Sequence, residues 1–250
     1  MKVEKFNLFD FVVLIPIFLN EDKIQALKNE INKHLSNKNY FVCFVDDSFT
    51  ESTSVEIKKN FDANFYILKR NKKEKYSTRF SASFDGFKWI VNNLKTKFIV
   101  EIDSDLSHHP KDILKGINLL NQEKCDLVIG SKYLKDSIVK NRKILRVFIS
   151  KFITLSCRLI FDKKITDYSN TYRFYTSDLV KKFTEEKILF KSPIGHLHNL
   201  LFILKKNYSI KEIPIEYIEE NSDSTVKTIS MFRYLLEFIY CIILNKFFRK

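Results

Sequence analysis

Asp103 and Asp105 stand two residues apart at the end of the apolar run "KFIVEIDSD", residues 97–105. Along an extended chain two such residues lie roughly 6.5–7 Å apart. A turn that begins at Ser104 brings both carboxylates toward one centre. Like charges 4 Å apart repel by about 4 kcal/mol at an effective dielectric of 20. A divalent cation removes that cost and can bridge to phosphate oxygens. Oxygen-only ligands suit Mg²⁺ or Mn²⁺, which keep several waters and share a diphosphate. The stretch therefore reads as a rigid arm that holds a metal for a phosphorylated substrate. An Asp-x-Asp pair by itself recurs by chance, and the weight here comes from its place at the end of a strand.

The elements around it supply that place. "FVVLIPI" (11–17) is a continuous apolar run, as a buried parallel strand would be. "EDKIQALKNEINKHL" follows with helical period, its apolar positions being Ile24, Leu27, Ile31 and Leu35. Strands are expected at "YFVCFVDD", "NFYILKR", "KFIVEID" and "CDLVIGSKYL", with helices at "SVEIKKNF", "STRFSASFDGFKWIVNNL" and "PKDILKGINLLN" between them. Strand and helix alternate over short connections, which predicts an α/β fold with a mostly parallel central sheet.

Ligands bind beyond the carboxyl ends of such strands. Here those ends carry Asn20-Glu21, Asp46-Asp47, Asp103-Ser104-Asp105 and Ser131-Lys132. Helix capping is the competing explanation, and Asp46, Asp47 and Ser48 are good cap candidates. It serves less well for Asp103 and Asp105, because one cap needs one acceptor. His108 and His109 fall at a helix start, where histidine is more often structural than ligating. His196 and His198 are two apart on an expected helix, share no face, and receive no role.

Beyond residue 140 the rhythm changes. A long basic amphipathic stretch, "NRKILRVFISKFITLSCRLIF", comes first. "DYSNTYRFYTSDLV" reads as a strand leading into a helix, "PIGHLHNLLFILKKN" as a helix, and "YSIKEIPIEYIEE" as one alternating strand. "NSDSTVKT" is the expected linker to a closing segment, "ISMFRYLLEFIYCIILNKFFRK".

The 250 residues are 45% hydrophobic, enough for one sizeable core, and the 29% that are charged argue against a membrane-embedded chain. Only 4 Gly and 4 Pro speak against disorder and against a Gly-rich phosphate loop. The net charge of +13 favours an anionic partner: nucleic acid, phosphate or a lipid surface. Cys43, Cys125, Cys157 and Cys241 are widely spaced, as for reduced buried thiols in a cytosolic protein. The N-terminal apolar stretch is interrupted by Asp10 and reads as a first strand rather than a signal peptide. No run of 18 uncharged apolar residues predicts a transmembrane helix.

Taken in order, "VVLIPIFLNE", "VDDSFTEST", "EIDSDLSHHPKDI", "DLVIGSKY", "ISK", "DYSNTYRFY" and "IKEIPIEYIEE" resemble the dolichol-phosphate mannosyltransferases and related polyprenyl-phosphate sugar transferases of glycosyltransferase family 2. The resemblance covers about residues 10 to 228, and "DLSHHPKDI" is its most specific piece. It implies a GT-A nucleotide-sugar-binding fold over residues 1–222, with residues 223–250 as a C-terminal amphipathic segment. It also implies a GDP- or UDP-sugar donor, Mg²⁺ or Mn²⁺, an inverting displacement and a polyprenyl-phosphate acceptor. Carried over by position, Pro16, Glu21, Asp46, Asp47, Asp103 and Lys132 would meet the donor. Asp103 and Asp105 match the metal and diphosphate pair, with Ser107 where some members place a further ligand. Arg146 and Ser150 keep the spacing of an Arg and Ser that hold the acceptor phosphate, and Asp167 and Arg173 match the ends of "D-x-x-S-G-F-R", which would place Arg173 at the acceptor phosphate too.

The chain also departs from the family pattern. "PIFLNE" carries one residue more than "P-x-Y-N-E", and "NKKEKYSTRFSAS" replaces a Gly-rich loop, leaving Gly86. Thr171 stands for a glycine, Glu219-Glu220 for "Asp-Arg", and "DSTVK" for "G-E-S-K".

An ionised acceptor phosphate needs no strong general base, so Lys132 and Arg146 on phosphates and a metal on the leaving diphosphate, held by Asp105, would carry catalysis. A hydroxyl acceptor in surface glycan synthesis would need a base, for which Asp167 is the candidate. A degenerate, non-catalytic relative is the other alternative. Two readings from other classes fit less of the chain. A phosphoacceptor signalling domain leaves residues 140–250 unexplained. A nucleic-acid-binding module is disfavoured because the aromatics fall in apolar-periodic runs. The closing segment is too short in its apolar core to span a bilayer, and it is expected to lie on a membrane surface at the cytoplasmic face.

Overall fold

β1 (Leu8–Ile17) contains the expected first apolar run and lies inside a seven-stranded sheet. The structure is a computed structural model and describes residues 8–70, 78–219 and 228–248. β2 (Tyr40–Asp46), β3 (Phe65–Lys69), β4 (Lys95–Glu101) and β5 (Leu127–Ser131) follow, then a short β6 (Ile138–Lys140), β7 (Arg173–Thr176), β8 (Ile210–Pro214) and β9 (Glu216–Ile218). The order across the large sheet is β3-β2-β1-β4-β7-β5-β8. β1 pairs in parallel with β2 and β4, and β5 with β8. β7 enters between β4 and β5 and runs antiparallel to both. The mostly parallel α/β sheet expected from the sequence is therefore present, with one reversed strand.

Both faces of the sheet are covered. Alternate residues of β1 and β2 point to opposite sides, as the two-residue period of a strand requires. Val12, Leu14, Cys43 and Val45 join one apolar cluster with α3 (Arg79–Asn93), α6 (Ser177–Glu185) and α7 (Ile194–Lys205). Phe11, Val13, Ile15, Val42 and Phe44 join the other with α1 (Ile24–Leu35), α2 (Ser52–Asn60) and α4 (Ile113–Glu123). The four apolar positions read on α1 are all fully buried. Gly86 lets α3 approach the sheet closely: a Cβ there would stand 2.4 Å from Leu14 Cδ1 and 2.7 Å from Val45 Cγ2.

Two expectations change in the structure. "YSIKEIPIEYIEE" does not form one strand: it breaks at Ile215 into β8, on the edge of the large sheet, and β9, which pairs with β6 in a separate two-stranded ribbon. Pro214 ends β8 on that edge, where a missing N–H is tolerated. The strand expected at 125–134 is shorter, Leu127–Ser131.

α5 (Ile144–Ile160) and α8 (Thr228–Ile243) complete the helices. The buried stripe of α8 includes Phe238 and Cys241, which belong to the same cluster as α3 and α7. Just past it, Asn245 Nδ2 lies 3.0 Å from His198 Nδ1 of α7 and donates to Cys241 O at 2.8 Å. Arg233 and Glu237 pair on the outer side at 2.8 Å. No described helix is long and apolar enough to cross a membrane. The four cysteines are buried and form no disulfide. The expected boundary at 222/223, "DSTVK", most of the linker and residues 71–77 of the glycine-poor loop lie outside the described residues.

Candidate active site

The turn after β4 is built to present its acids. Leu106 takes a left-handed φ of 63°, which folds the chain back on itself. Ser107 then meets both carboxylates: its N–H donates to Asp105 Oδ1 at 3.0 Å and its Oγ lies 3.4 Å from Asp103 Oδ2. His108 is buried behind them. Its Nδ1 accepts from the Asp103 N–H at 3.2 Å, so Nε2 carries the proton and donates to Asn170 Oδ1 at 3.0 Å. Burial pushes the His108 pKa down. His108 is a brace for the turn, in line with the structural reading of a helix-start histidine.

Asp103 has a further partner that sequence reasoning missed. The Arg79 guanidinium at the start of α3 makes an ion pair with Asp103 and lies 3.0 Å from Glu101 and 3.1 Å from His196 Nε2. Burial alone would raise the Asp103 pKa, but Arg79 leads the interactions that hold it below the ordinary carboxylate value. Glu101 is fully buried, and burial pushes its pKa up in spite of Arg79 and a 2.6 Å bond from Ser83 Oγ. Arg79 falls in the stretch that replaces the family's Gly-rich loop, which was the available signal. The partly open carboxylates of Asp103 and Asp105 with the Ser107 hydroxyl form an oxygen-only donor set of the kind Mg²⁺ or Mn²⁺ takes, although Arg79 competes for one Asp103 oxygen.

The residues expected to meet a donor base lie on neighbouring strand ends. Pro16 is buried in β1 opposite Val45. The extra residue of "PIFLNE" is absorbed by Leu19, at φ 51°, whose N–H donates to Ser48 Oγ. Asn20 Nδ2 then reaches Ser104 Oγ at 2.9 Å and ties this loop to the acidic turn. Glu21 accepts from Ser52 and Thr53 hydroxyls at 3.2 Å each. Both carboxylate oxygens of Asp47 accept from Arg70 Nη1, at 2.9 and 2.7 Å. Asp46, expected beside Asp47 at the donor, is bonded within the chain. It is fully buried and accepts from Ser48 N–H, Ser54 Oγ and Lys69 Nζ at 2.8, 2.6 and 2.9 Å. A local turn to Ser48, the Ser54 hydroxyl and the Lys69 ion pair occupy its two oxygens.

A third group surrounds a cavity of about 240 Å³ beside Asp103, lined by Lys132, Arg142, Arg146, Ser150 and Tyr217. Lys132 Nζ pairs with Asp167 Oδ2 at 2.9 Å. Arg146 Nη1 lies 2.8 Å from Glu219 Oε1 and remains 39% exposed. The Ser150 hydroxyl bonds those of Tyr133, at 2.7 Å, and Ser169. Arg142 was not singled out from the sequence. It donates to Tyr133 OH at 3.1 Å and stands over the Tyr217 ring, and only its place in the basic stretch pointed to it.

Two residues carried over by pattern are buried and bonded within the chain. Asp167 is fully buried and accepts from the N–H groups of Lys132, Ser169 and Asn170, from Ser169 Oγ and from Lys132 Nζ. Burial would raise its pKa, but Lys132 leads the interactions that keep it low. A carboxylate so committed is a poor general base and a good anchor. Arg173 is also buried, and its guanidinium donates to the carbonyls of Asn170, His196 and Tyr168. Its three guanidinium nitrogens each hold a backbone carbonyl.

Known proteins share both the sequence pattern and the architecture. The family described as Glycosyl transferase family 2 matches residues 12–184. A dolichol-phosphate mannosyltransferase of Pyrococcus furiosus is 28% identical over 228 residues, which is 89% of this chain and 61% of that protein's length. A polyprenol monophosphomannose synthase of Mycolicibacterium smegmatis is 22% identical, covering 83% of this chain and 77% of its own. The glucosyl-3-phosphoglycerate synthase of Mycobacterium tuberculosis, solved with Mn²⁺, UDP and glucosyl-3-phosphoglycerate, superposes with a TM-score of 0.67 at 10% identity, covering 97% of this chain and 81% of that one. That likeness speaks for fold alone, and the fold is the expected GT-A fold. With more than half its length matched, the chain belongs to glycosyltransferase family 2.

Proposed function

We propose that the protein is an inverting hexosyltransferase that moves a sugar from a GDP- or UDP-sugar to a polyprenyl phosphate at a membrane surface. The observation that carries this reading is the junction of charge and apolar surface on α5. Arg146 and Ser150 face the cationic cavity beside Asp103. On the same helix Leu145, Phe148, Phe152, Leu155 and Leu159 are each more than half exposed. A ligand that pairs a phosphate with a long apolar chain suits such a surface. The names of the two relatives point the same way.

In this reading the acceptor phosphate is already an oxyanion and attacks the anomeric carbon as the bond to the nucleoside diphosphate breaks. Lys132, Arg142 and Arg146 hold it by charge and direction, and Ser150 adds a hydroxyl. Asp167 positions Lys132. Asp47 and Glu21 bound the space for the nucleoside. A Mg²⁺ or Mn²⁺ held by Asp103 and Asp105, with Ser107 alongside, would supply positive charge to the leaving diphosphate. The outward rows of α5 and α8 rest on the cytoplasmic face of the membrane, with residues from 223 onward as an appendage to the catalytic unit.

Transfer of radiolabelled sugar from a panel of GDP- and UDP-sugars to a polyprenyl phosphate tests this. The expected product is chloroform-soluble and labile to mild acid. Label found only on protein or soluble glycan would replace it with the hydroxyl-acceptor reading, and no transfer from any donor would favour a non-catalytic relative.

A further inference from the structure

A second set of ligand-type side chains lies on the opposite side of the acidic turn. Glu30 and His34 are one turn apart on α1, and His109 faces them from the residue before Pro110. His34 Nε2 lies 3.3 Å and His109 Nε2 3.4 Å from the same oxygen, Glu30 Oε2. All three ligand atoms fall within 4.8 Å of one another, and this is the only His, Cys, Asp and Glu cluster of its kind among the described residues. Bonds of about 2.0–2.1 Å to zinc in a tetrahedron place ligand atoms about 3.3–3.4 Å apart. Two edges of the triangle already have that length.

A second observation is independent of the spacing. His34 Nε2 is sealed from solvent, and its approach to Glu30 lacks the geometry of a hydrogen bond, so it has no such partner among the described residues. Buried ring nitrogens ordinarily have a hydrogen-bond partner, so one with only an ion-pair approach to Glu30 points to a ligand. His109 Nε2 is oriented by the other ring nitrogen, which accepts from the Lys111 N–H at 3.2 Å. Ligation through Nε2 moves the imidazole proton to Nδ1 and gives up that contact. Among the described residues Lys33 is the one ammonium paired with Glu30, and it sits nearer Oε1 (3.3 Å) than Oε2 (3.5 Å).

From this geometry we infer a transition-metal site at Glu30, His34 and His109, separate from Asp103 and Asp105 and selective for a different class of ion. Two imidazoles and one carboxylate suit Zn²⁺, whereas Mg²⁺ and Mn²⁺ favour all-oxygen sets. A water completes the tetrahedron. The ion ties α1 to the turn that carries Asp105, Ser107 and His108, so its occupancy sets how firmly that turn is held.

The test uses untagged full-length protein in excess Mg²⁺, so that oxygen-only sites are occupied. Co²⁺ is titrated as a visible reporter of tetrahedral coordination and then displaced by Zn²⁺. One equivalent of Co²⁺ is expected to give intense visible bands that Zn²⁺ abolishes. His34→Ala and Glu30→Gln should weaken Co²⁺ binding by about a hundredfold or more, while Asp105→Ala leaves it unchanged. Zn²⁺ should raise the thermal midpoint of the wild type and not that of His34→Ala. Both His34 and Glu30 lie on the partly open face of α1, and far-UV circular dichroism checks that each variant folds. Absence of the bands in the wild type, unchanged binding in folded His34→Ala, or loss of the bands in Asp105→Ala would each overturn the site.

Discussion

The guanidinium of Arg79 pairs with the Asp103 carboxylate and at the same time lies 3.0 Å from Glu101, so a cation at the proposed metal site would have to share Asp103 with it. A unit positive charge about 5 Å from a bound ion repels it by roughly 3 kcal/mol per unit charge at an effective dielectric of 20. Arg79→Ala should therefore tighten Mn²⁺ binding about tenfold or more by isothermal titration. It should also cost about 3 kcal/mol in urea unfolding, because Glu101 is left buried without its counter-ion. Weaker Mn²⁺ binding in a folded variant would assign Arg79 to support of the metal rather than competition with it.

Asp105 makes one described hydrogen bond, from the Ser107 N–H. Its removal should leave the fold intact. Asp105→Ala is expected to keep the wild-type melting temperature within a degree or two, lose Mn²⁺-dependent binding of UDP or GDP, and reduce transfer by about a hundred- to a thousandfold. Metal-dependent nucleotide binding that survives in the variant would remove Asp105 from the proposed metal site.

The commitment of Asp167 to Lys132 and three backbone N–H groups separates two roles. If it anchors, Asp167→Asn lowers stability by about 3 kcal/mol in denaturant, since Lys132 is left buried and unpaired. The residual activity should then keep the shape of the wild-type pH profile. Loss of the acidic limb of that profile in a variant of unchanged stability would restore Asp167 as a base.

Asp46 gives the fold a dependence on acid. Burial would raise its pKa, yet bonds from Ser48 and Ser54 and the Lys69 ammonium bring it below the ordinary value. A carboxyl with a depressed folded-state pKa contributes stability above its unfolded pKa of about 3.9 and loses that contribution as pH falls through the folded value. The wild type should lose stability steeply below about pH 4, and Asp46→Asn should show a shallower slope over the same range in urea titrations. Parallel slopes would mean that other carboxylates govern the acid limb.

Phe148 and Leu155 of α5 are 68% and 60% exposed. The double variant Phe148→Asp, Leu155→Asp should melt like the wild type but float poorly with liposomes that contain anionic lipid. Equal flotation of both proteins would move the membrane contact away from α5, and a truncated chain ending at residue 228 would then show whether α8 carries it alone.

Much of the scaffold was legible because apolar period is a local property. Ile24, Leu27, Ile31 and Leu35 announce α1 without any knowledge of what they touch, and the runs at β1 and β2 announce strands buried on both faces. What stayed hidden depends on neighbours far along the chain. β7 reads as a strand, but nothing in "RFYT" says that it inserts backwards between β4 and β5. Ile215 looks like one more residue of an alternating strand until β6 draws β9 away from the main sheet. In the site, Asp103 and Asp105 drew notice from the sequence because one helix cap needs only one acceptor. Arg79 did not, because a single polar residue at a helix start acquires meaning only from what lies far along the chain, here Asp103 and His196 at 24 and 117 positions. At Asp46 and Arg173 the pattern gave the position but not the partners, because the Ser54, Lys69 and His196 that they meet lie 8 to 23 positions away.

The contact between Asn245 and His198 has a consequence for how the C-terminal helix is oriented. α8 carries apolar side chains nearly all the way round, with Phe232, Leu236, Ile239 and Ile243 outward and Phe238 and Cys241 inward. Such a rod gains almost the same burial at many angles of roll, so hydrophobicity alone leaves its azimuth degenerate. One amide reduces the degeneracy, because Asn245 Nδ2, which keeps its bond to Cys241 O at any roll, meets the His198 ring at only one angle. The set of side chains offered to the outside is thereby chosen by a polar residue on the hidden side. Asn245→Leu would keep the helix and its greasiness yet lose the index mark that tells it which way to face.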